Sequence, residues 1–146
     1  MKRFSLLVTV ASMLVAAMPL SRVAQAAPIS DKADAQCAKL AIRTLGTSFN
    51  PSNYAFHGGT EGNDDVIRSD VTDGPDLFCG FGGVDRIDTI AEGDVFLGGA
   101  DNDFVTRNNG TFYGEAGDDV VGFNNGTFYG GAGDDLVSFN FGTFVQ

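Results

Sequence analysis

From Gly59 onward, small, acidic and apolar positions recur in a fixed nine-residue frame. Positions one, two and four are small, position six is Asp, and position eight is apolar. The clear copies are 59–67 (GTEGNDDVI), 80–88 (GFGGVDRID), 98–106 (GGADNDFVT), 114–122 (GEAGDDVVG) and 130–138 (GGAGDDLVS). Asp64, Asp85, Asp103, Asp119 and Asp135 fill position six, and Val66, Ile87, Val105, Val121 and Val137 fill position eight. The intervening segments are weaker nonapeptides, 71–79 (VTDGPDLFC) and 89–97 (TIAEGDVFL), and then seven-residue pieces, 107–113 (RNNGTFY), 123–129 (FNNGTFY) and 139–145 (FNFGTFV). Only residues 68–70 fall outside the frame.

Strong and weak units therefore alternate, as a coil with two strands and two turns per lap requires. The pattern predicts an all-β fold, a parallel β-roll over 59–146 with laps of 18 residues at first and 16 later. Strong loops would stack along one edge and Asn-Gly turns along the other. Strand alternation sends Phe112, Phe128 and Phe144 inward between outward Thr and Tyr neighbours. They would face Val105, Val121 and Val137, giving one aromatic and one aliphatic ladder. Burying each ring is worth roughly 1.5–3 kcal/mol.

Upstream the period changes. Residues 27–46 read as a helix, with Ser30 or Asp31 at its start, Asp34 in the first turn and Gly46 at its end. Cys37, Leu40, Ala41, Thr44 and Leu45 share one face. A solenoid exposes apolar surface at its ends and needs caps, so this helix is expected to cap the N-terminal end. Residues 47–58 read as an irregular lead-in, completing a 27–58 segment ahead of the roll.

The first residues change the setting. Lys2 and Arg3 precede an apolar run from Phe4 to Leu20, and Ala24-Gln25-Ala26 is a small-x-small cleavage site. Residues 1–26 thus read as a signal peptide, which implies a secreted, extracellular or cell-surface-associated protein. Removing them takes Lys2, Arg3 and Arg22 but no acid, leaving 6 basic against 19 acidic residues, a net charge of −13. Such a surface repels nucleic acid and anionic lipid and attracts cations. Two cysteines in an exported chain suggest a disulfide, here Cys37–Cys79.

The nonapeptide resembles the repeats-in-toxin (hemolysin-type) calcium-binding family, whose consensus is GGxGxDxUx. The resemblance covers about 59–146. It implies a Ca2+ ion between successive strong loops, at up to four sites: 59/80, 80/98, 98/114 and 114/130. The chemistry agrees, since calcium takes about six to eight hard oxygens and one six-residue turn offers too few. The implied ligands are the carboxylates of Asp64, Asp85, Asp103, Asp119 and Asp135, with Asp101 and the backbone of Gly59, Gly80, Gly82, Gly98, Ala100, Gly114, Ala116, Gly130 and Ala132. Phe81, Val84 and Asp101 depart from the consensus, and residues 68–70 weaken the 59/80 site. Glu92 stands in for a glycine at the other edge, against a 71/89 site.

Smaller signals are absorbed by the repeat. Asn109-Gly110-Thr111 and Asn125-Gly126-Thr127 match a glycosylation pattern but are explained as tight turns. His57, the only histidine, reads as a lead-in residue. No Ser/His/Asp arrangement or HExxH motif occurs, and the expected protein is a non-enzymatic calcium-dependent binding or stabilising module. Two alternatives are an ice-binding or adhesive surface built on Thr111, Thr127, Thr143, Tyr113 and Tyr129, and a small secreted hydrolase. Expected partners are calcium ions and, through an open C-terminal edge, further copies of the chain.

Overall fold

A computed structural model describes residues 32–66 and 74–146; the expected signal peptide, the helix start and residues 67–73 lie outside them. The chain forms a β-solenoid with parallel strands. β1 (Ala55–Gly58), β3 (Asp76–Gly82), β5 (Val95–Ala100), β7 (Thr111–Ala116), β9 (Thr127–Ala132) and β11 (Thr143–Val145) make a six-stranded sheet in that order. β2 (Asp65–Val66), β4 (Arg86–Ile90), β6 (Phe104–Asn108), β8 (Val120–Asn124) and β10 (Leu136–Asn140) make the facing five-stranded sheet. Each strand pairs with the one a lap away, the topology the alternating repeat requires. The lap is 21 residues at Asp64–Asp85, then 18, then 16, so the first coil is three residues longer than the next.

The two expected ladders form the core. Phe96, Phe112, Phe128 and Phe144 stack with centroids 5.1, 4.8 and 5.0 Å apart. Ile87, Val105 and Val121 are buried opposite them, and Val137 packs against the same cluster. Consecutive rungs sit in register (Phe96↔Phe112↔Phe128↔Phe144), so each ring finds the same partner one lap on. A truncation such as Phe112→Ala would remove one ring between two others, at a cost of about 3–5 kcal/mol.

The helix, α1 (Lys32–Leu45), guards the N-terminal edge. Asp34 accepts the N–H of Gly58 on edge strand β1 (3.0 Å), and a side chain at Gly58 would collide with Ala33. It also does something the periodicity alone did not show. Its buried face (Cys37, Ala38, Ala41) lies over the outer side of the six-stranded sheet, on Leu77, Cys79, Val95 and Leu97. Those strands are apolar on both sides, as β3 (Asp76–Gly82) shows by its nearly continuous burial. The Cys37–Cys79 disulfide bolts the helix there, joining cysteines 42 residues apart. In the chain-entropy account that is worth about 4 kcal/mol. A single 3-10 turn at Pro51–Asn53, begun by Asn50 accepting from the Ser52 N–H, carries the chain from helix to roll. Among the described residues no helix is long and apolar enough to cross a membrane.

Candidate metal centre

The strong loops stack along one edge and repeat one backbone shape. Positions two and four adopt positive φ from loop 80 onward: Phe81 (76°) and Gly83 (89°), Gly99 (112°) and Asp101 (73°), Glu115 (73°) and Gly117 (141°), Gly131 (104°) and Gly133 (142°). This is why the consensus asks for glycine there. Asp101 tolerates the conformation, as its short polar side chain suggests. Phe81 and Glu115 adopt it at a cost of roughly 1–2 kcal/mol each.

Each position-six carboxylate points inward, and its two oxygens have different fates. One accepts a backbone N–H from the preceding strong loop. Asp85 Oδ1 takes the N–H of Asp64 (2.8 Å), Asp103 that of Asp85 (2.8 Å), Asp119 that of Asp103 (2.8 Å) and Asp135 that of Asp119 (3.0 Å). The other oxygen, Oδ2 of Asp85, Asp103, Asp119 and Asp135, is buried with no hydrogen-bond partner. Asp85, Asp103 and Asp119 are at most 1% exposed.

Position one is glycine for a matching reason. A side chain at Gly80 would strike both Asp85 Oδ2 and the carbonyl oxygen of Gly98. The same holds at Gly98, with Asp103 Oδ2 and the Gly114 carbonyl, and at Gly114, with Asp119 Oδ2 and the Gly130 carbonyl. Three times, then, an unpartnered carboxylate oxygen and a carbonyl from the next loop converge on a space that only glycine leaves open. At Gly130 the atoms crowding that space belong to Asp135 alone.

Loop 59 is built differently. Asp64 Oδ2 accepts from the Thr60 N–H (2.6 Å) and from its hydroxyl (3.2 Å), so both Asp64 oxygens have protein partners or local contacts. Neither Thr60 nor Gly62 is at positive φ. The position-three residues Gly82, Ala100, Ala116 and Ala132 align in register, and the Ala132 carbonyl accepts the Gly117 N–H (2.9 Å).

Burial pushes the Asp103 carboxyl up to about 8 and those of Asp85 and Asp119 up to about 6; the N–H of the preceding loop's Asp opposes the rise and neighbouring carboxylates add to it. Both penalties fall on the charged form, and a cation would relieve both. Among the described residues no three His, Cys, Asp or Glu side chains converge as a metal cluster. Any ion here must draw on backbone carbonyls, which suits a hard oxygen-seeking cation better than zinc.

A second ladder runs outside the first. Val84 N–H donates to Asn63 Oδ1, Asp118 N–H to Asn102 Oδ1 and Asp134 N–H to Asp118 Oδ1, all at 2.9 Å. Position five supplies it wherever the residue is Asn or Asp.

At the opposite edge the structure reveals a feature the sequence reading passed over. Asn108 and Asn124 are fully buried; Asn108 Nδ2 donates to Asn124 Oδ1, and Asn124 Nδ2 to Asn140 Oδ1, each at 2.8 Å. The same amides also donate to the carbonyls of Thr127 and Thr143. The 16-residue recurrence of Asn at the second position of the short units was the available signal. His57 is more than a lead-in residue: its Nε2 lies 2.9 Å from Asp76 Oδ1, and its ring stacks on Phe78.

Compared with known proteins, the chain matches no family model, no curated protein and no solved structure.

Proposed function

We propose that the protein binds calcium between successive strong loops at 80/98, 98/114 and 114/130, as a secreted, non-enzymatic binding or stabilising module. The observation that carries this reading is the column of buried, unpartnered Oδ2 atoms, of which those of Asp85, Asp103 and Asp119 each meet the next loop's carbonyl across a glycine. The resemblance to hemolysin-type repeats and the acidic charge support it. Asp85, Asp103 and Asp119 would supply charge, and Gly98, Gly114 and Gly130 carbonyl oxygen. Bound calcium would neutralise a stack of carboxylates whose mutual repulsion otherwise opposes folding. Calorimetric titration of the chelated protein tests this. Calcium should bind with a stoichiometry near three and increase β circular dichroism; absence of binding at about 10 mM, well above the range of extracellular modules, would refute it.

The register of Thr111, Thr127 and Thr143 on the outer face of the six-stranded sheet keeps an ice-binding role as the second reading. Thr111 and Thr127 are half-buried, which leaves a small face. Thermal hysteresis with calcium present decides it.

A further inference from the structure

The outer faces of the two sheets differ in what covers them. The six-stranded sheet carries α1 and the disulfide. Among the described residues nothing covers the outer face of the five-stranded sheet, where Leu136 is 55%, Phe139 54% and Phe123 41% exposed. Two columns cross it in register: Arg86, Phe104, Val120 and Leu136, and beside them Thr89, Arg107, Phe123 and Phe139. The face is charged toward the early laps, where Arg86 and Arg107 lie with the exposed Asp65 and Asp88, and apolar toward the late ones. Arg86 and Arg107 are the only basic residues from 74 to 146, and both lie on this face.

The chemistry of the face selects its occupant. Phe123 and Phe139 stack at 4.9 Å with planes 11° apart, so their ring faces are turned to each other and their edges to solvent. A sugar ring stacks on an exposed aromatic face, and this ridge presents edges. A ridge one lap in period fits the groove between strands of another sheet with the same period. The face also contains both halves of a cation–π pair. Within the chain, Arg86 already sits 5.1 Å over the Phe104 ring.

We propose that this face is a self-recognition surface on which a second copy of the chain packs, sheet against sheet, about a twofold axis parallel to the strands and between β6 and β8. That axis reverses the strand order. It sets Arg107 of each copy opposite Phe123 of the other, Phe104 opposite Val120, and the Arg86 stem against Leu136. A twofold contact must be self-complementary, and a face with its arginines at one end and its exposed aromatic rings at the other meets that condition only when reversed. The overlapping strands cover a footprint of about 16 by 16 Å. This is well under the roughly 800 Å² per partner of a standard interface, so the dimer is weak and forms with rising concentration.

Sedimentation of the purified protein from about 10 µM to about 1 mM tests this, with circular dichroism at each condition to confirm the folded roll. A monomer–dimer equilibrium is expected. The double variant Phe123→Ser/Phe139→Ser should raise its dissociation constant at least about 10-fold. Arg86→Gln/Arg107→Gln, which alters only exposed side chains, should weaken it as well, and Tyr129→Ser on the other sheet should not. A folded protein that stays monomeric throughout would overturn the proposal. So would a dimer indifferent to both double variants, or assembly that runs past the dimer into open chains.

Discussion

In the later laps the two turn edges of the roll bury polar side chains by opposite means; in the earlier laps the short-turn edge also buries carboxylates, with Asp94 Oδ1 accepting the Asp76 N–H (2.9 Å). At the short-turn edge an asparagine amide both donates and accepts, so Asn108, Asn124 and Asn140 bond to one another lap after lap. At the strong-loop edge an ionised carboxylate can only accept. Asp85, Asp103, Asp119 and Asp135 each satisfy one oxygen with a backbone N–H and leave the other bare. The non-glycine residues at positive φ, Phe81, Asp101 and Glu115, all lie in strong loops too. The asparagine ladder closes on protein except at its first rung, where Asn108 Oδ1 is buried without a partner, whereas the strong-loop edge repeats a bare carboxylate oxygen from Asp85 to Asp135 and adds backbone strain, and such features cluster where a ligand belongs.

Removing calcium should separate the edges most sharply. At ten times each dissociation constant, three independent sites contribute RT ln 11 apiece, about 4 kcal/mol together. Chelation should lower the melting temperature by roughly 15 °C. In hydrogen exchange, the amides of Asp85, Asp103 and Asp119, which donate to the carboxylate ladder, should lose protection first. The amides of Asn125 and Gly126, bonded to the Asn108 carbonyl, should hold longer. Equal loss at both edges would mean that the metal does not act at the strong loops.

Asn124→Asp should convert a self-sufficient rung into an ionic one. It removes the donor to Asn140 and Thr143 and buries a charge with no cradle of carbonyls. The expected loss is about 3 kcal/mol, in melts with and without calcium alike. Rescue by calcium would show that either edge can hold an ion and would dissolve the distinction.

The reciprocal change should reverse sign with metal. Asp119→Asn keeps an oxygen to accept the Asp103 N–H and replaces the bare oxygen with a donor facing the Gly130 carbonyl. Without calcium it should be steadier than the parent. With calcium it should lose at least one ion and about 1.4 kcal/mol. Asp135→Asn, whose glycine is met by no following carbonyl, should cost less. Equal costs would sink binding between loops. Acidity should show the same inversion. Folding raises the Asp103 carboxyl to about 8 and those of Asp85 and Asp119 to about 6, against about 3.9 unfolded. Metal-free stability is then greatest below the unfolded value and is lost as pH rises through the folded ones. The chelated protein should melt higher at about pH 5 than at about pH 8, and the calcium-saturated protein lower, because protons compete for the same oxygens.

Much of this was legible in the sequence because a repeat states its rule many times. Asp at position six, apolar residues at eight and Phe in the short units fixed the lap, the ladders and the carboxylate column. The Cys37–Cys79 bond followed from there being only two cysteines. Placement across laps was harder to read. Nothing local in KADAQCAKLAIRTL says that the helix lies over Leu97 as well as at the end of the roll. Asn108 and Asn109 look alike as letters, yet one is buried in a ladder and the other faces the turn surface. Loop 59 matches the consensus at most positions, but Thr60 satisfies the oxygen that its counterparts leave bare.

The smallest expected effect lies on the outer ladder of the strong-loop edge. There Asn63, Asn102 and Asp118 each accept the N–H of position five one lap on. Val84 breaks the series: its isopropyl group is 49% exposed and offers the Asn102 N–H no acceptor. Val84→Asn restores the side chain that the neighbouring laps use, on a backbone already shaped for it. A hydrogen bond at this exposed position is worth about 0.5 kcal/mol, and removing an exposed valine loses little burial. The variant should melt about 2 °C higher, with or without calcium, because this ladder uses backbone N–H groups and leaves the buried carboxylates untouched. A gain seen only with calcium would mean that the outer ladder forms part of the metal site, and that the strong-loop edge has no metal-independent scaffold of its own.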